Sequence, residues 1–146
     1  MIKIRKNMFE TNSSSVHSIV YSKEGLEDSK LYKNPDGYII ASYGVFDKDR
    51  RYYDSQNDKL SYLLTQIFYL AGGWNPDIRY DYRFETLEKI VCDYADADGI
   101  IIDLSTEPYI DHQSIPEWDT IINLWDENEV INFIFNKNIM LKTDCD

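Results

Sequence analysis

Cysteine is scarce in this chain, which has only Cys92 and Cys145. Two thiols so far apart form neither a disulfide framework nor metal-ligand spacing, and they fit a reducing cytoplasm. No apolar run approaches the roughly 18–20 residues needed to cross a bilayer, so no membrane partner is expected. The basic residues near Met1 are followed by no apolar segment, so no secretion signal is expected either. Also missing are a Gly-x-Ser-x-Gly elbow, a phosphate-binding Gly-rich loop, a dinucleotide fingerprint and a zinc signature. The expectation is therefore no cofactor and no metal.

Positive charge is scarce in one half only. Residues 1–73 carry 10 Lys/Arg and 9 Asp/Glu, whereas residues 74–146 carry 5 and 17. Binding free nucleic acid requires cations that displace condensed counterions, so the second half excludes that partner and suits a basic protein surface instead. No repeat, low-complexity segment or linker divides the chain.

What is present is core-forming material. Hydrophobic residues make up 43% of 146, with 12 Tyr and 3 Trp. A single domain over residues 1–146 can bury about 68–70% of its unfolded surface. Alternation predicts strands at 2–5 and 16–21, and Asn34-Pro35-Asp36-Gly37 is a turn leading into a strand over 38–43 that closes a hairpin or meander. Residues 47–58 read as a charged loop. Leu60, Leu63, Leu64, Ile67, Phe68 and Leu70 predict a helix over 59–70, ended by Gly72-Gly73. Phe84, Leu87, Ile90, Val91 and Tyr94 predict a second helix over 84–95. Ile100 to Leu104 reads as a central strand. Ser114-Ile115-Pro116-Glu117 is a capping box that predicts a helix to about Trp125, and Asp126 to Glu129 repeats that cap before 130–135. Residues 139–141 read as a last edge strand. The expected fold is α+β, an antiparallel-rich or mixed sheet with three to four helices packed on one face.

The densest polar motif is Phe9-Glu10-Thr11-Asn12-Ser13-Ser14-Ser15-Val16-His17-Ser18. Successive serines compete for backbone groups and disfavour a helix, and their hydroxyls and amides suit an oxyanion such as phosphate. This run resembles the N-terminal signature of a family of small proteins from bacteriophages and related mobile elements of Gram-positive bacteria. Gly44-Val45-Phe46, Lys59 to Leu63, Tyr109-Ile110-Asp111-His112-Gln113-Ser114, Phe133 to Asn136 and Thr143-Asp144 extend the resemblance over most of the chain. Val45 departs from it, since an acidic residue is expected between that Gly and Phe. The resemblance implies a source and a whole-chain family but no activity.

His17 and His112 are the only histidines, and imidazole is the side chain that moves protons near neutral pH. If their loops meet, His17, His112 and Ser14 form a candidate catalytic set, with Asn12, Ser13, Ser15, Ser18, Asp111, Gln113 and Ser114 as binding groups. The partner would be a small anionic ligand or nucleotide. His112-Gln113-Ser114 matches the His-x-Ser/Thr spacing of two-histidine phosphoesterases, but His17-Ser18-Ile19 does not. Asp103, Asp111 and His112 are residue types that a divalent ion could use. The rival reading is an acidic interaction protein of the anti-CRISPR or anti-restriction type. Tyr94, Asp96, Asp98, Asp103, Glu107, Asp111, Glu117, Trp118 and Asp119 would imitate nucleic acid and block a basic surface of a host defence enzyme.

Overall fold

One helix forms the centre of the molecule. The Ser55 hydroxyl accepts from Asp58 N–H at 3.0 Å and starts α1, Gln56–Leu70, three residues before the expected start at 59. Gly72 and Gly73, at φ of 119° and 73°, let the chain turn back so that Ala71 and Gly73 donate to the carbonyls of Ile67 and Phe68. Ten successive residues, Lys59 to Phe68, are buried. An amphipathic surface helix would bury only one stripe, so α1 is enclosed on all sides.

The structure is a computed structural model and describes residues 15–22, 30–46, 51–110 and 120–145. Its strands are β1 (Ser15–Tyr21), β2 (Tyr38–Ser42), β3 (Val45–Phe46), β4 (Arg51–Tyr53), β5 (Gly99–Asp103), β6 (Tyr109–Ile110) and β7 (Ile139–Cys145). Two further helices, α2 (Tyr82–Ala95) and α3 (Glu127–Phe135), complete a small α+β fold. The Asp81 carboxylate caps α2 at Arg83 N–H, and Asp126 caps α3 at Glu129 N–H. At the other end of α2, Asp96 takes a left-handed conformation at φ 56°, which Asp adopts more readily than most residues. The expected strand at 2–5 lies outside the described residues.

The sheets are small and mixed. β7 lies between β1 and β4, antiparallel to both, while β2 pairs with β5 and β3 with β6 in parallel. As expected, β2 closes a short hairpin across the Asn34–Gly37 turn, where the antiparallel Lys33–Ile39 bridge is flanked by Asn34 N–H to the Tyr38 carbonyl and Ile40 N–H to the Tyr32 carbonyl. Its longer ladder is the parallel one with β5, about 60 residues on. Three expectations are corrected. The segment 139–141 is part of the middle strand of its sheet, because it continues to Cys145 and finds partners on both sides. The loop at 47–58 holds β4 and the first turn of α1. Residues 120–125, assigned to the end of a capped helix, are bends and turns, while Ser114 to Asp119 lie outside the described residues.

A single hydrophobic cluster joins these elements, with Leu60, Leu63, Leu64 and Ile67 of α1, Phe84 and Leu87 of α2, Val130 and Ile134 of α3, and Ile39, Ile110 and Leu141 from three sheets.

Candidate functional site

Four polar side chains, Lys59, Ser61, Thr65 and Gln66, are buried on α1 together with the Tyr62 phenol. Each must find a partner inside the protein, because an unpaired buried group is destabilising by about 1–3 kcal/mol. Lys59 Nζ donates to the carbonyls of Asn136 (3.0 Å) and Ile139 (2.7 Å), pinning α1 to the α3–β7 connection. Thr65 Oγ1 donates to the Ser61 carbonyl and accepts from Gly44 N–H. Gln66 Oε1 accepts from Ile121 N–H at 2.9 Å. Its Nε2 is buried and has no hydrogen-bond partner among the described residues.

Tyr62 binds His17. The two side chains approach to 2.8 Å between Nδ1 and the hydroxyl, both fully buried, and burial pushes the phenol well above its ordinary range. Tyr62 therefore stays protonated and can donate to the imidazole. His17 reaches it because alternation along β1 turns His17 and Ile19 into the core. The same alternation places Ser18 on the opposite face, so Ser18 does not share a site with His17. Across the sheet, His17 is in register with buried Thr143 of β7. Ser15 begins β1 opposite Cys145.

Asn12, Ser13, Ser14, Asp111, His112, Gln113 and Ser114 lie outside the described residues, but the residues flanking them are placed. Ile110, one position before Asp111, is buried and in register with Phe46, whose ring meets Tyr62 edge-on at 4.9 Å. At the far end of that segment, Ile121 is held by Gln66. Tyr62 and Gln66 are four residues apart and so stack on one face of α1, about 6 Å along its axis. β1, the entry to 111–119 and its exit thus all attach to a single turn of one helix. Sequence reading missed Lys59, Tyr62 and Gln66. The signal was available as polar groups at i, i+3 and i+7 interleaved with the apolar positions of the helix.

Of the remaining candidates, Tyr94, Asp96, Asp98, Asp103 and Glu107 are exposed, and Glu117, Trp118 and Asp119 lie outside the described residues. The Asp103 carboxyl is held below its usual range by Ser105, whose N–H it accepts at 2.9 Å. Between α1 and α2 and beside α3 stands an aromatic group that sequence reading did not single out. Trp74 is 91% exposed, Tyr80 81%, and the exposed rings of Tyr82 and Trp125 stack 5.8 Å apart at 5°. Arg83 lies over Tyr82 at 4.6 Å and is paired with Asp81. At the N-terminal end of α1, Lys30, Lys33, Gln56, Tyr94 and Phe135 line a surface cleft of about 540 Å³. Lys33 there caps the α2 carbonyls of Ala95 and Asp96. Among the described residues, no three His, Cys, Asp or Glu side chains gather as metal ligands, and no helix is long and apolar enough to cross a membrane. Compared with protein-family models, with curated proteins and with solved structures, the chain matches none of them.

Proposed function

We propose that this protein is a phage or mobile-element accessory protein that acts on its host, in the bacterial cytoplasm, through a small polar pocket for an anion or nucleotide. The pocket is built from the segments Ser13–His17 and Asp111–Ser114. The observation that carries this reading is the attachment of both segments' flanks to one turn of α1, through His17–Tyr62 and Ile121–Gln66. A buried amide donor at Gln66 Nε2 beside that turn adds a group suited to an acceptor. His17, which follows the serine run in the chain, is held against Tyr62 in the core. Ser14 and His112 are the groups left to meet the ligand, His112 as proton carrier, with Asn12, Ser13, Ser15, Asp111, Gln113 and Ser114 as binding groups.

The test is calorimetric titration with inorganic phosphate and with a mononucleotide. Binding should be lost in Ser14→Ala and in His112→Ala while both variants keep the parent melting temperature. Absence of binding in the parent protein, or unchanged binding in both variants, rejects the pocket.

A second reading, an acidic interaction protein that blocks a basic surface of a host defence enzyme, is favoured by the exposed carboxylates of α2 and β5. Exposed Tyr94, Tyr109, Tyr82 and Trp125 are anchors of the kind that dominate interface energies. Under this reading Asp96→Lys with Asp98→Lys relieves inhibition of a host nucleic-acid enzyme and Ser14→Ala does not.

A further inference from the structure

β5 has the composition of an interior strand but sits at an edge. Ile100-Ile101-Ile102 is the continuous β-branched run typical of parallel strands covered on both faces. Among the described residues β5 has one strand neighbour, β2. The far side of β2 is occupied, because Ile40 N–H donates to the Tyr32 carbonyl and Lys33 bridges to Ile39. The far side of β5 begins with Ile100 N–H, which is turned away from β2 to the Glu88 carboxylate at 2.9 Å. Alternate residues of a ladder direct their backbone groups to the same side, so the N–H and carbonyl of Ile102 also face outward. Among the described residues no hydrogen bond reaches them. Ile101 is 44% exposed and Leu104 55%. Natural edges are blunted by lysine, proline or a bulge, and β5 has no Lys or Pro.

The charge around this edge selects what can cover it. No Lys or Arg occurs between Lys89 and Lys137, a stretch holding eleven Asp and Glu. Asp96 and Asp98 stand exposed before β5, and Asp103 and Glu107 at its end and beyond. A second copy would set these carboxylates against their own kind, on chains that each carry −11. We infer that the open edge of β5 is a strand-addition site for an extended segment of a partner protein in which basic and apolar residues alternate. Main-chain bonds to the Ile100 carbonyl and to both backbone groups of Ile102 would provide the register, apolar side chains would cover Ile101 and Leu104, and lysines or arginines would meet the acidic rim. This inference rests on the interaction reading above and locates its contact.

The probe is the peptide acetyl-Lys-Val-Lys-Val-Lys-amide, with acetyl-Lys-Pro-Lys-Pro-Lys-amide as a control of equal charge that cannot extend a ladder. In the full chain, the valine peptide should slow hydrogen exchange at the Ile102 amide and the proline peptide should not. Ile102→Pro deletes an outward N–H without breaking the β2 ladder, and should weaken binding by about tenfold. If that variant fails to fold, exchange at Ile102 in the unaltered chain still decides. Equal binding of both peptides, an unprotected Ile102 amide, or undiminished binding by Ile102→Pro overturns the proposal. Binding that ignores Ile102 but is lost in Asp103→Lys with Glu107→Lys also overturns the edge, while leaving an acidic docking surface in place. Binding that appears only after residues 1–6 are deleted assigns the edge to the chain's own Ile2-Lys3-Ile4-Arg5, and overturns a partner in trans.

Discussion

His17 Nδ1 and the Tyr62 hydroxyl, 45 residues apart in the chain, meet at 2.8 Å inside the core. The bond joins the strand that follows the serine-rich motif to the central helix. Tyr62→Phe keeps the ring and deletes only the hydroxyl, so Nδ1 loses this partner in a site closed to water. The expected loss is about 1–3 kcal/mol in urea unfolding with an unchanged slope. A loss under about 0.5 kcal/mol would be that of a surface substitution and would deny the bond a structural role.

Lys59 offers a second test of the polar interior. Lys59→Met retains most of the packing volume but leaves the carbonyls of Asn136 and Ile139 without this donor. Removing a buried charge offsets part of that loss. The net destabilisation should be about 2 kcal/mol, with hydrogen-exchange protection falling first at the α3–β7 connection. Uniform loss across the molecule would contradict the pinning role.

Asp77 tests local electrostatics. Its carboxylate accepts two side-chain bonds and one backbone bond from Arg79, which hold its pKa down at about 2 against an ordinary 3.8. A depressed value means that the contribution to stability is present above pH 3.8 and is lost as pH falls through 2. Carboxyl titration by NMR should place the Asp77 midpoint near 2. Arg79→Ala should return it toward 3.8, and an unmoved midpoint would remove Arg79 as the cause.

Cys92 should be inert. Burial, then Glu88, Asp93 and Asp98 nearby, push its thiol from 9.0 to about 11. The thiolate fraction at pH 8 is then about one in a thousand, so alkylation should lag far behind that of a free thiol until the protein unfolds. Because the unfolded chain ionises first, this group lowers stability progressively between pH 9 and 11. Rapid modification of Cys92 in the folded protein at pH 8 would contradict its buried environment.

Local chemistry was legible wherever one short-range interaction decides. The cap at Asp126, the double glycine after α1 and the Asn34–Gly37 turn were read from residues within four positions of the groups they satisfy, whereas the caps at Ser55 and Asp81 went unread because each lies ahead of where the apolar spacing of its helix begins. The apolar spacing of α1 was read correctly as a helix and incompletely as an environment. A spacing rule assumes one wet face, and here Lys59, Ser61, Thr65 and Gln66 found partners on other elements and went inside. Of the candidate site, the sequence singled out His17 by its rarity but not Tyr62, because nothing local links a tyrosine in a helix to a histidine 45 residues earlier.

By itself, then, the sequence determined the class of fold, the existence of α1, α2 and α3, the asymmetric charge and the absence of a bilayer-spanning segment. Those properties depend on composition, periodicity and contacts between near neighbours. Only the tertiary structure decided that β7 is a middle strand, that β5 has β2 as its one strand neighbour among the described residues despite its isoleucines, and that His17 is enclosed against Tyr62. Strand order and burial are set by which distant surfaces exclude water together, and the spacing of residues along one strand does not specify its neighbour.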